Sequence, residues 1–210
     1  MKTIVIAALV ASLAAVPAFA EKLPLRDECA ADASFGAFRA SLRGIVKRKD
    51  AKALLAITAS DIEWSLDADH PGRPGFIKEW SLDQPGKATI WPEFEAALAL
   101  GCALDPGKAS IPYMYGRLPE ARDVFATTMP NRPRVNLRAG PSTDSAVVAL
   151  LDWDILTIID DNNTSWTHVK TDDGKEGYVR VDFLRTALAY RAVFEKRAGK
   201  WTLAVFINGD

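Results

Sequence analysis

The sequence predicts an α+β fold: a mixed domain of helices and strands that ends in a β-hairpin, with a small β-barrel inserted into it or following it. Three observations carry this prediction. Between residues 32 and 50 apolar side chains recur at steps of three and four, the spacing of one helix face. From Val124 onward the pattern changes to short alternating runs parted by Gly, Pro and Asp, which read as strands and tight turns. The end of the chain alternates on both sides of Arg197-Ala198-Gly199, so each arm of a hairpin keeps one face for a core.

The chain opens with Lys2, the apolar run IVIAALVASLAAV, Pro17 and Ala18-Phe19-Ala20. A basic start, an apolar segment shorter than a membrane span and an A-x-A exit are the marks of a secretory signal peptide. The expected cut follows Ala20 and leaves Glu21 first. No later stretch reads as membrane-spanning, so the expected destination is the periplasm or the exterior. The 26 basic and 27 acidic residues nearly balance, which gives no overall field for nucleic acid or an anionic membrane. Two cysteines, Cys29 and Cys102, in an oxidising compartment read as one disulfide closing a long loop.

The elements follow in order. Residues 32–50 form a helix capped by Asp32 or Ser34, with Phe35, Phe38, Leu42, Ile45 and Val46 on one stripe. Lys47-Arg48-Lys49 suits its negative end. Asp50 caps a second helix over 51–59. Residues 61–66 alternate as a strand with Ile62, Trp64 and Leu66 on one face, 67–75 form a loop, and 76–80 a helical turn. Pro92 opens a helix over 93–104, and 109–118 form a strand that tolerates Pro112 at a sheet edge. Short strands are then expected at 135–137, 146–151, 155–159, 167–170 and 177–181. The closing hairpin pairs 189–196 with 200–207, with Tyr190, Ala192 and Phe194 on one side of the first arm and Trp201, Leu203 and Val205 together on the second. A lone hairpin is marginal in water. The economical arrangement places it in the sheet of the first half, giving a domain of residues 21–123 plus 188–210 around a barrel unit of 124–187.

Within that unit, VNLRAGPS (135–142), WTHVK (166–170), DDGKEGYV (172–179) and DFL (182–184) occur in order at compatible spacing. Together they resemble the bacterial SH3 (SH3b) family. The segment Asp152-Trp153-Asp154 departs from it, since members usually carry a Gly-containing turn there. The resemblance implies a small barrel that binds peptides, often those of the cell wall, and carries no reaction of its own. Val135, Leu137, Val147, Leu150, Leu156, Ile158, Val169 and Val179 are the expected filling. The remainder resembles, more weakly, the NTF2-like α+β fold, in which helices cover a curved sheet and leave a pocket.

Candidate ligand-binding residues are Arg138, Trp153, Trp166 and Tyr178. Rim aromatics offer contact area at low entropic cost, and a guanidinium pairs with a carboxylate. Trp166 and Tyr178 are also suited to sealing the barrel's own edge, and Trp153 to packing against the neighbouring domain. Trp64, Trp80, Trp91, Tyr113, Tyr115 and Trp201 read as core before pocket lining. No catalytic set is expected: G-x-S-x-G, P-loop and H-E-x-x-H patterns are missing, and His70 and His168 are the only histidines. His70 beside Asp67 and Asp69 reads as a solvated loop rather than a metal site or an acid/base pair with Asp61, Asp67 or Asp69. Asn162 and Asn163 begin N-x-T and N-x-S patterns that mark a polar turn. No cofactor or metal is expected. The partner is expected to be a cell-wall peptide or, alternatively, a periplasmic protein gripped by an adaptor.

Overall fold

The computed structural model describes residues 20–66, 71–84, 86–162 and 165–209. The expected signal peptide up to Phe19, His70 with Asp67 and Asp69, and Asn163 lie outside the described residues. The first half contains helices α1 (Ala33–Arg48), α2 (Ala51–Ala56), α3 (Gly72–Glu79), α4 (Trp91–Leu98) and α5 (Tyr113–Arg117), with strands β1 (Thr58–Glu63), β2 (Ala103–Asp105) and β3 (Lys108–Ile111). Seven strands follow: β4 (Thr127–Pro130), β5 (Val135–Arg138), β6 (Val147–Leu151), β7 (Leu156–Asp160), β8 (Trp166–Thr171), β9 (Glu176–Arg180) and β10 (Leu184–Thr186). The chain ends in β11 (Arg191–Arg197) and β12 (Lys200–Ile207).

Two sheets result. The first has strand order β1-β12-β11-β3-β2, so the last hairpin lies between strands from the first half. The second has order β10-β4-β7-β8-β9-β5-β6 and uses only the strands in between.

Helix α1 starts where the Asp32 carboxylate accepts the backbone N–H groups of Ser34 and Phe35 at 2.8 and 3.0 Å. It ends at Lys49 in the left-handed conformation, φ 55°. Its stripe packs onto the first sheet, where Phe35 meets Trp201 edge-on at 4.8 Å and Phe94 of α4 stacks on Phe206 at 4.1 Å. Each such ring contributes about 1.5–3 kcal/mol by leaving water.

Several element bounds differ from the sequence reading, each for a tertiary reason. Helix α2 stops at Ala56 and β1 begins at Thr58. The cause is β12, which runs parallel to β1 and whose Leu203 N–H donates to the Ile57 carbonyl at 2.8 Å. Trp64 and Leu66 therefore fall past the strand. The Gly- and Pro-rich stretch starting at Gly72 is helix α3 rather than loop, with Pro74 in a first turn where its missing N–H costs nothing. Gly72 has φ +72°, and a Cβ there would lie 2.6 Å from the Ser60 carbonyl oxygen, so a bare backbone lets α3 approach β1. Helix α4 ends at Leu98, because the chain must turn at Gly101 for Cys102 to bond Cys29 (Cα–Cα 5.7 Å) and for β2 to join the sheet. Strand β3 stops at Ile111, and residues after Pro112 form α5, whose Arg117 reaches Glu28 at 2.7 Å. In the closing hairpin a bulge opposite Phe194 puts Phe206 in the core in place of Val205.

In the second sheet Val135, Leu137, Leu151, Leu156, Val169 and Val179 form one buried cluster. Val147 and Leu150 are instead 51 and 48 % exposed, and Ile158 is half-buried. A bulge between Leu137 and Arg138 changes the phase of β6, so Leu151 points inward opposite Val135. The sheet's edges are β10 and β6, and among the described residues no pairing joins them into the expected closed barrel. Strands β4 and β10, unforeseen, pair with each other.

A strap of residues 21–29 links the sheets. Ile155 N–H donates to the Glu21 carbonyl and Leu23 N–H to the Trp153 carbonyl, each at 2.9 Å. Further on, Cys102 N–H donates to the Arg26 carbonyl at 3.0 Å, beside the disulfide. Under the strap Met114, Met129, Ile155 and Ala187 form a buried cluster at the seam.

Candidate functional site: an arginine-lined aromatic cleft

The alternation of β5 sends Val135 and Leu137 inward and leaves Asn136 and Arg138 on the outer face. Register does the same across the neighbouring strands: Trp166 stands opposite Arg180, and His168 opposite Tyr178. Arg138 stands opposite Tyr178 on the other side of β9. These strands close up because Gly177 lacks a side chain; a Cβ there would lie 2.4 Å from the Arg138 carbonyl oxygen.

One end of this face is a cleft of about 340 Å³, lined by Arg132, Arg134, Val135, Asn136, Arg138, Thr143, Trp166, Arg180 and Phe183. Four guanidinium groups therefore surround two aromatic rings. Arg132 sits over the Phe183 ring at 4.3 Å, and Arg180 lies 5.5 Å from the same ring. Arg180 is paired with Asp182 through two contacts of 2.9 Å. Arg138 donates to the Ser145 carbonyl at 2.8 Å, a neutral acceptor. Among the described residues Arg132, Arg134 and Arg138 have no carboxylate partner, so the cleft carries uncompensated positive charge. Planar forks of donors beside aromatic rings suit carboxylates borne on an extended chain.

Of the four binding residues expected from sequence, Arg138 and Trp166 line the cleft. Tyr178 is on the same face, one rung away, with its ring stacked on His168 at 4.6 Å. Trp153 lies elsewhere. Its φ is +61°, and its side chain packs at the seam against the cluster of Met114, Met129 and Ile155. The lining residues not foreseen are Arg132, Arg134, Asn136, Thr143, Arg180 and Phe183, while Val135 was expected as filling. A signal for part of this set was present: Arg132, Arg134, Asn136 and Arg138 are spaced by two, although only Asn136 and Arg138 share a strand face, because Arg134 is left-handed (φ 59°) just before β5.

Other candidates fall into structural roles. Trp80, Trp91, Tyr113 and Trp201 are buried, and Tyr115 lies under the Arg191 guanidinium at 5.0 Å. Asp61 is exposed and paired with Arg197, whose hydrogen bond holds its carboxyl below the usual range. Asp27 lies near Cys29 and Cys102, but both sulfurs are consumed in the disulfide. No helix among the described residues is long and apolar enough to cross a membrane.

Residues 133–185 match the family model of the bacterial SH3 domain. The match takes in β5 through the first part of β10 and includes most of the cleft, but leaves out Arg132, β4 and the whole first sheet. No curated protein matches the chain.

Proposed function

We propose that the chain is an exported, non-enzymatic binding protein of the cell envelope. Residues 124–187 are its reading module, and residues 21–123 with 188–210 are the platform that holds it. The ligand is an acidic peptide, such as a wall stem peptide with free carboxylates, lying across Trp166 and Phe183 with its carboxylates on Arg132, Arg134 and Arg138. The observation that supports this most directly is the set of arginines on one face, without carboxylate partners among the described residues, around two rings.

Binding of an acidic stem peptide, compared with its fully amidated form, tests the reading. A charge-assisted contact is worth about 1.5–3 kcal/mol, so Arg138→Ala and Arg132→Ala are each expected to weaken binding about 10- to 100-fold. Equal affinity for the amidated peptide would overturn it. A second reading, an adaptor that grips a protein, is favoured by Val147, Val148 and Leu150, which leave the edge strand β6 apolar and 43 to 51 % exposed. Envelope crosslinking that captures one protein, with no retention by wall material, would support that reading.

A further inference from the structure

The peptide nitrogen of Glu21 donates to Asp172 Oδ2 at 3.0 Å. Asp172 is simultaneously gripped by Arg122, whose Nη1 and Nη2 reach its two oxygens at 2.9 and 2.6 Å. The same guanidinium binds the Glu21 side chain, through Nε at 3.1 Å and Nη2 at 2.6 Å. Glu21 is also the residue at which removal of the leader is expected to begin the exported chain. Its nitrogen thus faces a carboxylate at the one position where cleavage turns a neutral donor into a charged one.

We infer that Asp172 is a receptor for the new α-amino group, so that processing between Ala20 and Glu21 completes an ion-paired latch between the strap and the second sheet. This rests on reading residues 1–20 as a removable leader. An endopeptidase adds water across the Ala20–Glu21 bond: the carboxylate leaves with Ala20, and the amine stays on Glu21 and takes up a proton. The groups facing that ammonium are the carboxylates of Asp172, Asp173 beyond it and Glu21 itself, against the Arg122 guanidinium and the Lys175 ammonium that pairs with Asp173. A charged donor makes a hydrogen bond roughly twice as strong as a neutral one. No rearrangement is needed, since Ile155 N–H on the Glu21 carbonyl and Leu23 N–H on the Trp153 carbonyl already fix the strap.

Intact mass of the chain recovered after export comes first, and a terminus other than Glu21 overturns the processing step itself. The latch is tested separately, on the chain of residues 21–210 with a free terminus and with an N-terminal acetyl group. Acetylation is expected to lower the melting temperature by about 2–4 °C in the wild type and to have no effect in Asp172→Asn. An equal effect in both, or none in the wild type, overturns the latch. A measurement that needs no variant is the rate at which an amine-selective acylating reagent modifies Glu21 near pH 7. About tenfold slower reaction in the folded than in the urea-unfolded chain is expected, and equal rates overturn the proposal.

Discussion

A single missing side chain sets the distance between the strands that carry the cleft. Gly177 stands where a Cβ would press on the Arg138 carbonyl oxygen at 2.4 Å and on the Leu137 side chain at 3.0 Å. Gly177→Ala is expected to destabilise the second sheet by about 1–3 kcal/mol, visible as a lower midpoint in urea, and to weaken ligand binding because Arg138 shifts with its strand. An unchanged midpoint would show that β5 and β9 accommodate a methyl group. At this scale the sequence was partly legible. Arg138 and Trp166 were found because both lie in the family-like motifs and their side chains, a guanidinium and an indole, suit a binding rim. Arg180 and Phe183 were not, since their neighbours in space come from strands that nothing local pairs with them. Trp153 was ambiguous because a turn tryptophan serves a rim and a seam equally well, and only the tertiary contact decides.

At the scale of elements, legibility follows the range of the interaction that ends each one. Helix α1 is closed by its own neighbours, Asp32 at one end and a left-handed Lys49 at the other, and its extent was readable. The closing hairpin was readable too, because its turn at Ala198 and Gly199 takes positive φ at both residues, as a two-residue connection requires. Strand β1 was misplaced because its partner lies at the far end of the chain, and α4 was extended too far because a disulfide, not a propensity, ends it. That disulfide spans a sequence separation of 73 residues and ties the strap to the turn before β2. Replacing Cys29 and Cys102 together with Ser is expected to cost about 2–5 kcal/mol, measured by denaturant unfolding of the variant against the oxidised parent. A loss well below that range would mean that the hydrogen bonds of Arg26 and Glu28 to Cys102 hold the strap unaided.

For the molecule as a whole, ion pairs anchor the strap at its ends. Arg39 holds the Asp27 carboxyl below its ordinary range, Arg117 does so for Glu28, and Arg122 for Asp172. Each lowered carboxyl contributes stability that is fully present above its unfolded pKa of about 4 and is lost as pH falls through the lower folded value. Acidification below about pH 4 is therefore expected to free the strap from the sheets, which hydrogen exchange of the Leu23 and Ile155 amides, compared at pH 7 and pH 3 after correction for intrinsic rates, would record. Unaltered protection at pH 3 would assign the strap's hold to its apolar contacts alone. This acid sensitivity was not legible beforehand, because each pair joins segments that are remote in sequence or divided by a turn.

The order of strands in the first sheet also has a consequence in time. Two of its three inner strands, β12 and β11, leave the ribosome after every strand of the second sheet, which has its full complement once Thr186 has emerged. A nascent chain can thus settle its later-coded lobe first, while Phe35 and Phe94 wait without the Trp201 and Phe206 rings they rest on. Closure of the larger lobe is thus delayed until β11 and β12 have emerged, and until then most of its length stays extendable.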